Sequence, residues 1–427
     1  MLENTANLYR KILHIRLTDT FASLPRHTLE QVSPNNPFKR LLIVLLYTGG
    51  RLIFNLFKVN KPIDHLQQKV WLYVVSQNNV ESLQFIKEAM PEAEFVAGQN
   101  KRIGRYAKTV NRIPYRWKIL SYYKYPYVLW KLYQIHGKKV LRFFDLVYDA
   151  IGYYEVYLRT LRKHRPTAII FANDHNPDAR AMLYAAKHYK IPTVYIQHAS
   201  VSNSFPPLEH DLSLLEGQAA LDTYQQCGPV EGEVKFIGMP KADHYLKKRK
   251  SSNKVQRVGI CCNTIDTLEG IVQLVTQLSL HLPDLILSIR PHPRDNRDFN
   301  LIRGISPKAT LSNPASEGPF MFLEQQDVII AGDSSILLEA TLLNIPSIYY
   351  KFDEGALLDD YYGYVKNGVV ERADTTEKLI SIIENYIVNR PVVYQHAKYY
   401  NATVGTRHEA ASAKLALDNI KDFLNNG

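Results

Sequence analysis

Cysteine is scarce: there are three in 427 residues, and two of them, Cys261 and Cys262, are adjacent within "RVGICCNT". Neither a disulfide framework nor a four-ligand metal site can be assembled from that, and a reducing cytoplasm is the compartment it fits. Acidic residues are also short, 41 Asp+Glu against 52 Lys+Arg, for a formal charge of +11. That deficit favours anionic partners such as nucleotides, phospholipid headgroups or acidic substrates. Nucleic acid is set aside, because zinc-finger spacing and an RNA-recognition signature are both missing. No DxD-type acidic motif stands out, so neither a metal nor a cofactor is expected. The first residues, "MLENTANLYRKILHIRL", turn polar and acidic too early for a secretory signal. What is present is 46% hydrophobic and 22% charged residues, a globular composition with apolar material for two cores at this length.

An uninterrupted apolar stretch is missing as well. In "FKRLLIVLLYTGGRLIFNLFKV" (38–59) the run is broken by Gly49, Gly50 and Arg51. A central arginine argues against a membrane span. Two readings remain open: an interfacial anchor with its flanking cations on anionic headgroups, or an N-terminal helix packed on its own domain.

From about residue 69 the pattern runs strand, turn, helix. "KVWLYVVS" is rich in β-formers, and "NNVESLQFIKEAM" has apolar residues at helical spacing behind polar capping residues. Residues 101–165 are basic and tyrosine-rich and read as helical. They suit an acidic or lipid-linked acceptor, or equally a bundle with an aromatic core. Further on, two segments share one grammar. "TAIIFANDHNPDARAMLYAAKHYKIPTVYIQ" (167–197) and "QDVIIAGDSSILLEATLLNIPSIYY" (326–350) each give an apolar strand, a loop with an aspartate, a helix, x-Ile-Pro and a second strand. The repetition predicts two α/β domains, each a parallel sheet with helices outside. The junction falls in the basic stretch near 240–256, which gives a first domain at 1–245 and a second at 253–427. The last helix, in "HEAASAKLALDNIKDFLNN", is expected to pack back across the junction.

In the second domain, "DLILSIR" delivers "PHPRD" and "DVIIA" delivers "GDSS". Open α/β sheets bind ligands beyond the carboxyl ends of their strands, so both loops should open onto one crevice. The prolines on either side of His292 hold it extended and presented. Ser334 and Ser335 stand where a helix begins, and its unpaired N–H groups and their hydroxyls suit a phosphate. Taken singly, the serines also read as plain N-caps. Arg290, Pro293, Gly332 and Asp333 complete this phosphate-side set. Glu339 is one residue too far from Ser335 for a capping box, so it is free for another partner such as a ribose hydroxyl, or is a solvated helix glutamate. Across the cleft, the loops "NDH" (173–175), "QHASVSNS" (197–204) and "EGQAALDTY" (216–224) are candidates. Asp174 and His198 each follow an apolar strand and can act as base on an acceptor hydroxyl. Alternatively, Asp174 is a helix-entry aspartate and His198 a loop histidine bonded to backbone. His175, Gln197 and Ser200 fall on the acceptor side.

With "RPHPRD", "GDSSILLEA", "IQHAS" and "FIGMPKADHY" in this order, residues 165–350 resemble bacterial surface-polysaccharide transferases of the GT-B fold. The resemblance implies two Rossmann-like domains facing a central cleft, and two branches are similar. In the CMP-sialic acid and Kdo transferases an HP histidine and paired serines hold the CMP phosphate, matched here by His292, Pro293, Ser334 and Ser335. Their base lies in an acidic-acidic-Gly motif of the first domain. Here the triplet Asp353-Glu354-Gly355 follows the serines, so that role is not carried over and Asp174 takes it on position. The CDP-alditol phosphotransferases of teichoic-acid type are similar through His198, His292 and Ser334-Ser335, with Ala199 where a glycine is expected. UDP-sugar 2-epimerases are similar more loosely, through the fold and the "GMPKAD" turn.

The resemblance implies an inverting glycosyltransferase that moves an acidic sugar from a CMP-activated donor to a bacterial surface glycan or lipid-linked acceptor. It would be cytoplasmic and peripheral to the inner membrane. Alditol-phosphate transfer and epimerisation are the alternatives. A non-catalytic assembly protein is disfavoured, since the phosphate-binding residues are all present.

Overall fold

The computed structural model describes residues 2–57, 63–99, 101–306, 308–353 and 359–426. Residues 58 and 59 of the apolar segment, and Glu354 and Gly355 of the acidic triplet, lie outside the described residues. Two parallel sheets organise the chain. The first contains β1 (Val70–Tyr73), β2 (Glu94–Gly98), β3 (Asn111–Ile113), β4 (Ala168–Phe171), β5 (Thr193–Ile196), β6 (Leu212–Leu215) and β7 (Glu233–Phe236). Their order is β3-β2-β1-β4-β5-β6-β7. The second contains β8 (Arg257–Cys261), β9 (Ile286–Arg290), β10 (Thr310–Leu311), β11 (Val328–Ala331), β12 (Ser347–Tyr350) and β13 (Glu371–Ala373), in the order β10-β9-β8-β11-β12-β13. In each sheet the order reverses beside the first strand, between β1 and β4 and between β8 and β11. Such switch points open a crevice at the strands' carboxyl ends.

The central strands are buried along their whole length, as continuous runs such as Val70-Trp71-Leu72-Tyr73 and Val328-Ile329-Ile330-Ala331 require when helices cover both faces. The repeated grammar is repeated structure. β4, the helix Pro177–His188 and β5 match β11, the helix Ile336–Leu342 and β12. The x-Ile-Pro element is a helix stop in both. Lys190 and Asn344 are left-handed (φ 51° and 62°), and the following N–H of Ile191 and Ile345 reaches back to Ala186 O (3.0 Å) and Ala340 O (2.9 Å). This is a Schellman cap, and the proline after it prevents the helix from continuing.

Residues 101–165 are mostly helical, with helices Tyr125–His136, Phe144–Ala150 and Tyr153–Lys163. They also contain β3, which the helical expectation passed over: a three-residue edge strand is too short to show a period of two. Tyr115, Tyr148, Tyr153 and Tyr157 are core, whereas Tyr123 and Tyr133 are exposed. Tyr73, Tyr115 and Tyr157 all donate to the fully buried Asp178 carboxylate, the last at 2.7 Å, and Lys101 Nζ lies 3.3 Å from it. Among the described residues, sheet one ends at β7 and sheet two starts at β8, and between them Met239, Ala242 and Leu246 already pack in the core around β11 and the helix Ile336–Leu342. The helix Ser412–Asn426 returns to the first domain, where Ala416 and Ile420 join the core beneath β1 and β5. Asp243 fixes its start by accepting the N–H groups of Ser412 (3.0 Å) and Ala413 (2.8 Å).

Candidate functional site

On the second domain, the loops after β8, β9 and β11 are tied to one another. Arg297, past the end of β9, chelates Asp295 and donates to the carbonyls of Asn263 (3.1 Å) and Asp266 in the β8 loop. Asn263 Nδ2 in turn donates to Asp333 O in the β11 loop at 3.3 Å. Neither Arg297 nor Asn263 was singled out in the sequence, because each acts on backbone and belongs to no motif. Burial pushes the Asp266 carboxyl up to about 7.

His292 is half-buried on this edge. Its Nδ1 accepts the Arg294 N–H at 3.1 Å, so the neutral ring carries its proton on Nε2. Burial and then Arg294 lower its pKa, which favours that neutral form. Pro293 is exposed beside it. Arg290 is buried, and its guanidinium donates to Ser312 Oγ and Glu317 O, both at 2.8 Å, bracing β9 against the segment after β10.

After β11, Gly332 is buried and Asp333 is saturated. Its carboxylate accepts the Tyr349 hydroxyl (2.7 Å) and the Tyr361 N–H (2.5 Å), although burial raises its pKa. Ser334 Oγ accepts the Ile336 N–H at 3.4 Å. Ser335 occupies the capping position, yet its backbone is helical and its hydroxyl makes no cap. Glu339, expected to be free or solvated, is neither: it is buried and receives Lys241 Nζ at 2.6 Å. Lys241 belongs to the "GMPKAD" turn, whose Met239 and Ala242 pack in the core around β11 and the helix Ile336–Leu342.

On the first domain, Asn79 gathers the carboxyl ends of β1, β4 and β5. Its Oδ1 accepts the Val75 N–H (3.2 Å), and its Nδ2 donates to Ala172 O and to His198 Nε2, both at 3.3 Å. That bond places the proton of the His198 ring on Nδ1, a buried atom without a partner. Burial, and then the neighbouring His175, pushes His198 down to about 4. Gln197 and Ser200 both make tertiary hydrogen bonds. Gln197 Oε1 accepts the Glu216 N–H at 2.8 Å, and Ser200 Oγ pairs with Tyr364 OH at 2.8 Å. Tyr361 OH also donates to Ser202 Oγ, so the β5 loop is latched to the second domain.

Asp174 is buried behind His175. One oxygen accepts His175 Nδ1–H at 3.0 Å and the other the Tyr224 hydroxyl. Burial alone would raise Asp174, but these bonds hold it below the usual carboxylate range. His175 stays half-exposed, with Nε2 facing Asn173 Nδ2 at a weak 3.4 Å. The carboxylate is therefore the orienting group and the imidazole the accessible one, a division that adjacency in sequence did not reveal. Glu216, at the end of β6, opens the candidate loop 216–224 but was not singled out in the sequence. Burial pushes it up to about 7, with Lys241 pulling it down and Glu339 pushing it up. Lys241 thus acts on Glu339, Glu216 and His198 together.

No family model matches the chain. It is 23% identical over 185 residues to the teichoic acid glycerol-phosphate primase of Staphylococcus aureus, a stretch covering 37% of this chain and 46% of that protein, so the match spans about half the length of the relative. Among solved structures it is similar to the UDP-GlcNAc 2-epimerase of Neisseria meningitidis, with TM-score 0.54, 12% identity, and coverage of 83% of this chain and 100% of the other. It is also similar to MurG of Acinetobacter baumannii, with TM-score 0.51, 10% identity, and coverage of 83% and 99%. The two facing parallel-sheet domains therefore form a GT-B fold, shared by glycosyltransferases and epimerases.

Proposed function

We propose that the chain is a GT-B transferase that passes a group from a cytidine-nucleotide donor to a hydroxyl of a surface-glycan or lipid-linked acceptor. The observation that carries this reading is the convergence of the β8, β9 and β11 loops, where His292 keeps Nε2–H as a donor and Ser335 leaves its hydroxyl unspent on capping. Transfer of an alditol phosphate from a CDP donor is the first reading, supported by the 185-residue similarity to a glycerol-phosphate primase. Transfer of an acidic sugar from a CMP donor is the second, supported by the paired serines.

In the first, the acceptor oxygen bonds to the donor's β-phosphorus and the P–O bond to CMP breaks. In the second, it bonds to the anomeric carbon and the C–O bond breaks. CMP departs with the electron pair either way, and donors fixed around its phosphate stabilise that charge without reorganising. The acceptor proton goes to His175 Nε2, and the imidazolium so formed is stabilised by Asp174 behind it.

The test is the melting temperature of the protein titrated with CMP, CDP, UDP and GDP, repeated on His292→Ala and Ser335→Ala. A ligand that binds only the folded state raises it in step with its excess over Kd. A shift with cytidine nucleotides that both variants lose supports the reading. Radiolabel transfer from a CDP-alditol or from a CMP-sugar then separates the two donors. A preference for UDP or GDP, or no shift at all, would overturn it.

A further inference from the structure

The helix Pro37–Phe57 is amphipathic the wrong way round for a helix of a water-soluble domain. Its inward stripe is polar and hydrogen-bonded to its own domain. Arg40 donates to Pro34 O (2.8 Å), Thr48 Oγ1 pairs with Tyr148 OH (2.5 Å), and Asn55 Oδ1 accepts the Trp117 N–H (2.9 Å). The central Arg51 is buried, donating to Tyr47 OH at 2.9 Å and lying 4.8 Å over the Tyr115 ring. Its outward face is apolar: Phe38 is 79% exposed, Leu46 66%, Ile53 61% and Leu56 73%. Among the described residues, no helix is long and apolar enough to cross a membrane.

The surface continues past this helix. The Trp117–Asn55 bond sets the exposed Trp117, Leu120 and Tyr123 beside its C-terminal end, and Trp130 lies exposed on the helix Tyr125–His136 with Lys131 Nζ 5.0 Å over its ring. Charge is one-sided here. Residues 31–63 and 95–144 contain no Asp or Glu, while the exposed Lys39, Lys108, Arg116 and Lys138 fall within them.

We infer that this face docks on a lipid bilayer carrying anionic headgroups, with the helix lying along the headgroup boundary. Apolar side chains on one face of a helix, tryptophan and tyrosine beside them and cations around them are what an interfacial site combines. A second copy of the chain fits less well, because a two-fold interface sets each patch against itself and would oppose two basic surfaces. The inference is independent of the transferase reading.

The test is flotation of the full chain with vesicles of phosphatidylcholine alone and of phosphatidylcholine with phosphatidylglycerol, with tryptophan emission as a second readout. Binding to the anionic vesicles is expected, weakened by salt, with a blue shift from Trp117 and Trp130, since Trp71 is already fully buried. The double variant Leu46→Glu/Ile53→Glu changes only exposed positions and should bind at least about tenfold more weakly, with its far-UV circular dichroism unchanged. His292→Ala should bind as wild type does, which separates this test from that of the nucleotide site. Failure to bind either vesicle, or undiminished binding by the double variant, overturns the inference. So would a dimer that the double variant dissociates in the absence of vesicle binding, which would assign the face to a second copy.

Discussion

Glu216→Gln should change the stability of this protein in a strongly pH-dependent way. Glu216 is buried at the end of β6, its carboxylate receives one hydrogen bond among the described residues, from Gln197 Nε2 at 3.4 Å, and burial pushes it from 4.5 to about 7 despite Lys241. An acid whose pKa is higher in the folded state binds more protons there between pH 4.5 and 7, so stability falls as pH rises through that window and the loss is complete above it. About 2.5 pH units at 1.36 kcal/mol each is on the order of 3 kcal/mol. Glutamine keeps the shape and cannot ionise. Urea unfolding followed by circular dichroism should show little difference between wild type and variant at pH 5, with the variant ahead by about 3 kcal/mol at pH 8.5. A difference that does not vary with pH, or a variant less stable than wild type at pH 8.5, would refute the reasoning. The second result would mean that attraction to Lys241 outweighs desolvation.

Asp178→Leu removes the acceptor shared by Tyr73, Tyr115 and Tyr157 and leaves Lys101 without its carboxylate, so urea unfolding should show a loss of about 3–5 kcal/mol. Lys190→Gly relieves a left-handed lysine in the helix stop before β5 and should stabilise by up to about 1 kcal/mol in the same assay, whereas glycine at the helical neighbour Lys187 should destabilise. His175→Gln should lower turnover with the cytidine donor by about 10²–10⁴-fold and leave the nucleotide-induced rise in melting temperature intact; equal loss of both would assign His175 to donor binding.

Much of the architecture was legible in local pattern. Buried parallel strands read as continuous apolar runs, and x-Ile-Pro marks a helix stop because it demands one left-handed residue, one back-reaching N–H and one proline. Two copies of that grammar are enough to predict two domains, and the strand ends that carry His292, Ser334 and Ser335 follow from it. The edge strand β3 escaped because three residues carry no period. The apolar segment 38–59 stayed ambiguous because hydropathy measures how much of a helix is apolar and not which side faces the protein. Only packing shows that Arg51 points inward and Leu46 outward. The proton states also depended on tertiary neighbours. His198 is held neutral by burial and has Nε2 occupied by Asn79, which lies 119 positions earlier. Glu339 is buried against Lys241, 98 positions earlier. The pairing of Asp174 with His175 is adjacent in sequence, but which of the two is accessible depends on Tyr224 closing over the carboxylate. Sequence by itself determined which side chains stand at the strand ends, because secondary structure answers to local periodicity. The tertiary structure alone decided which of them are free to act, because hydrogen-bond saturation and desolvation are set by residues far apart in the chain.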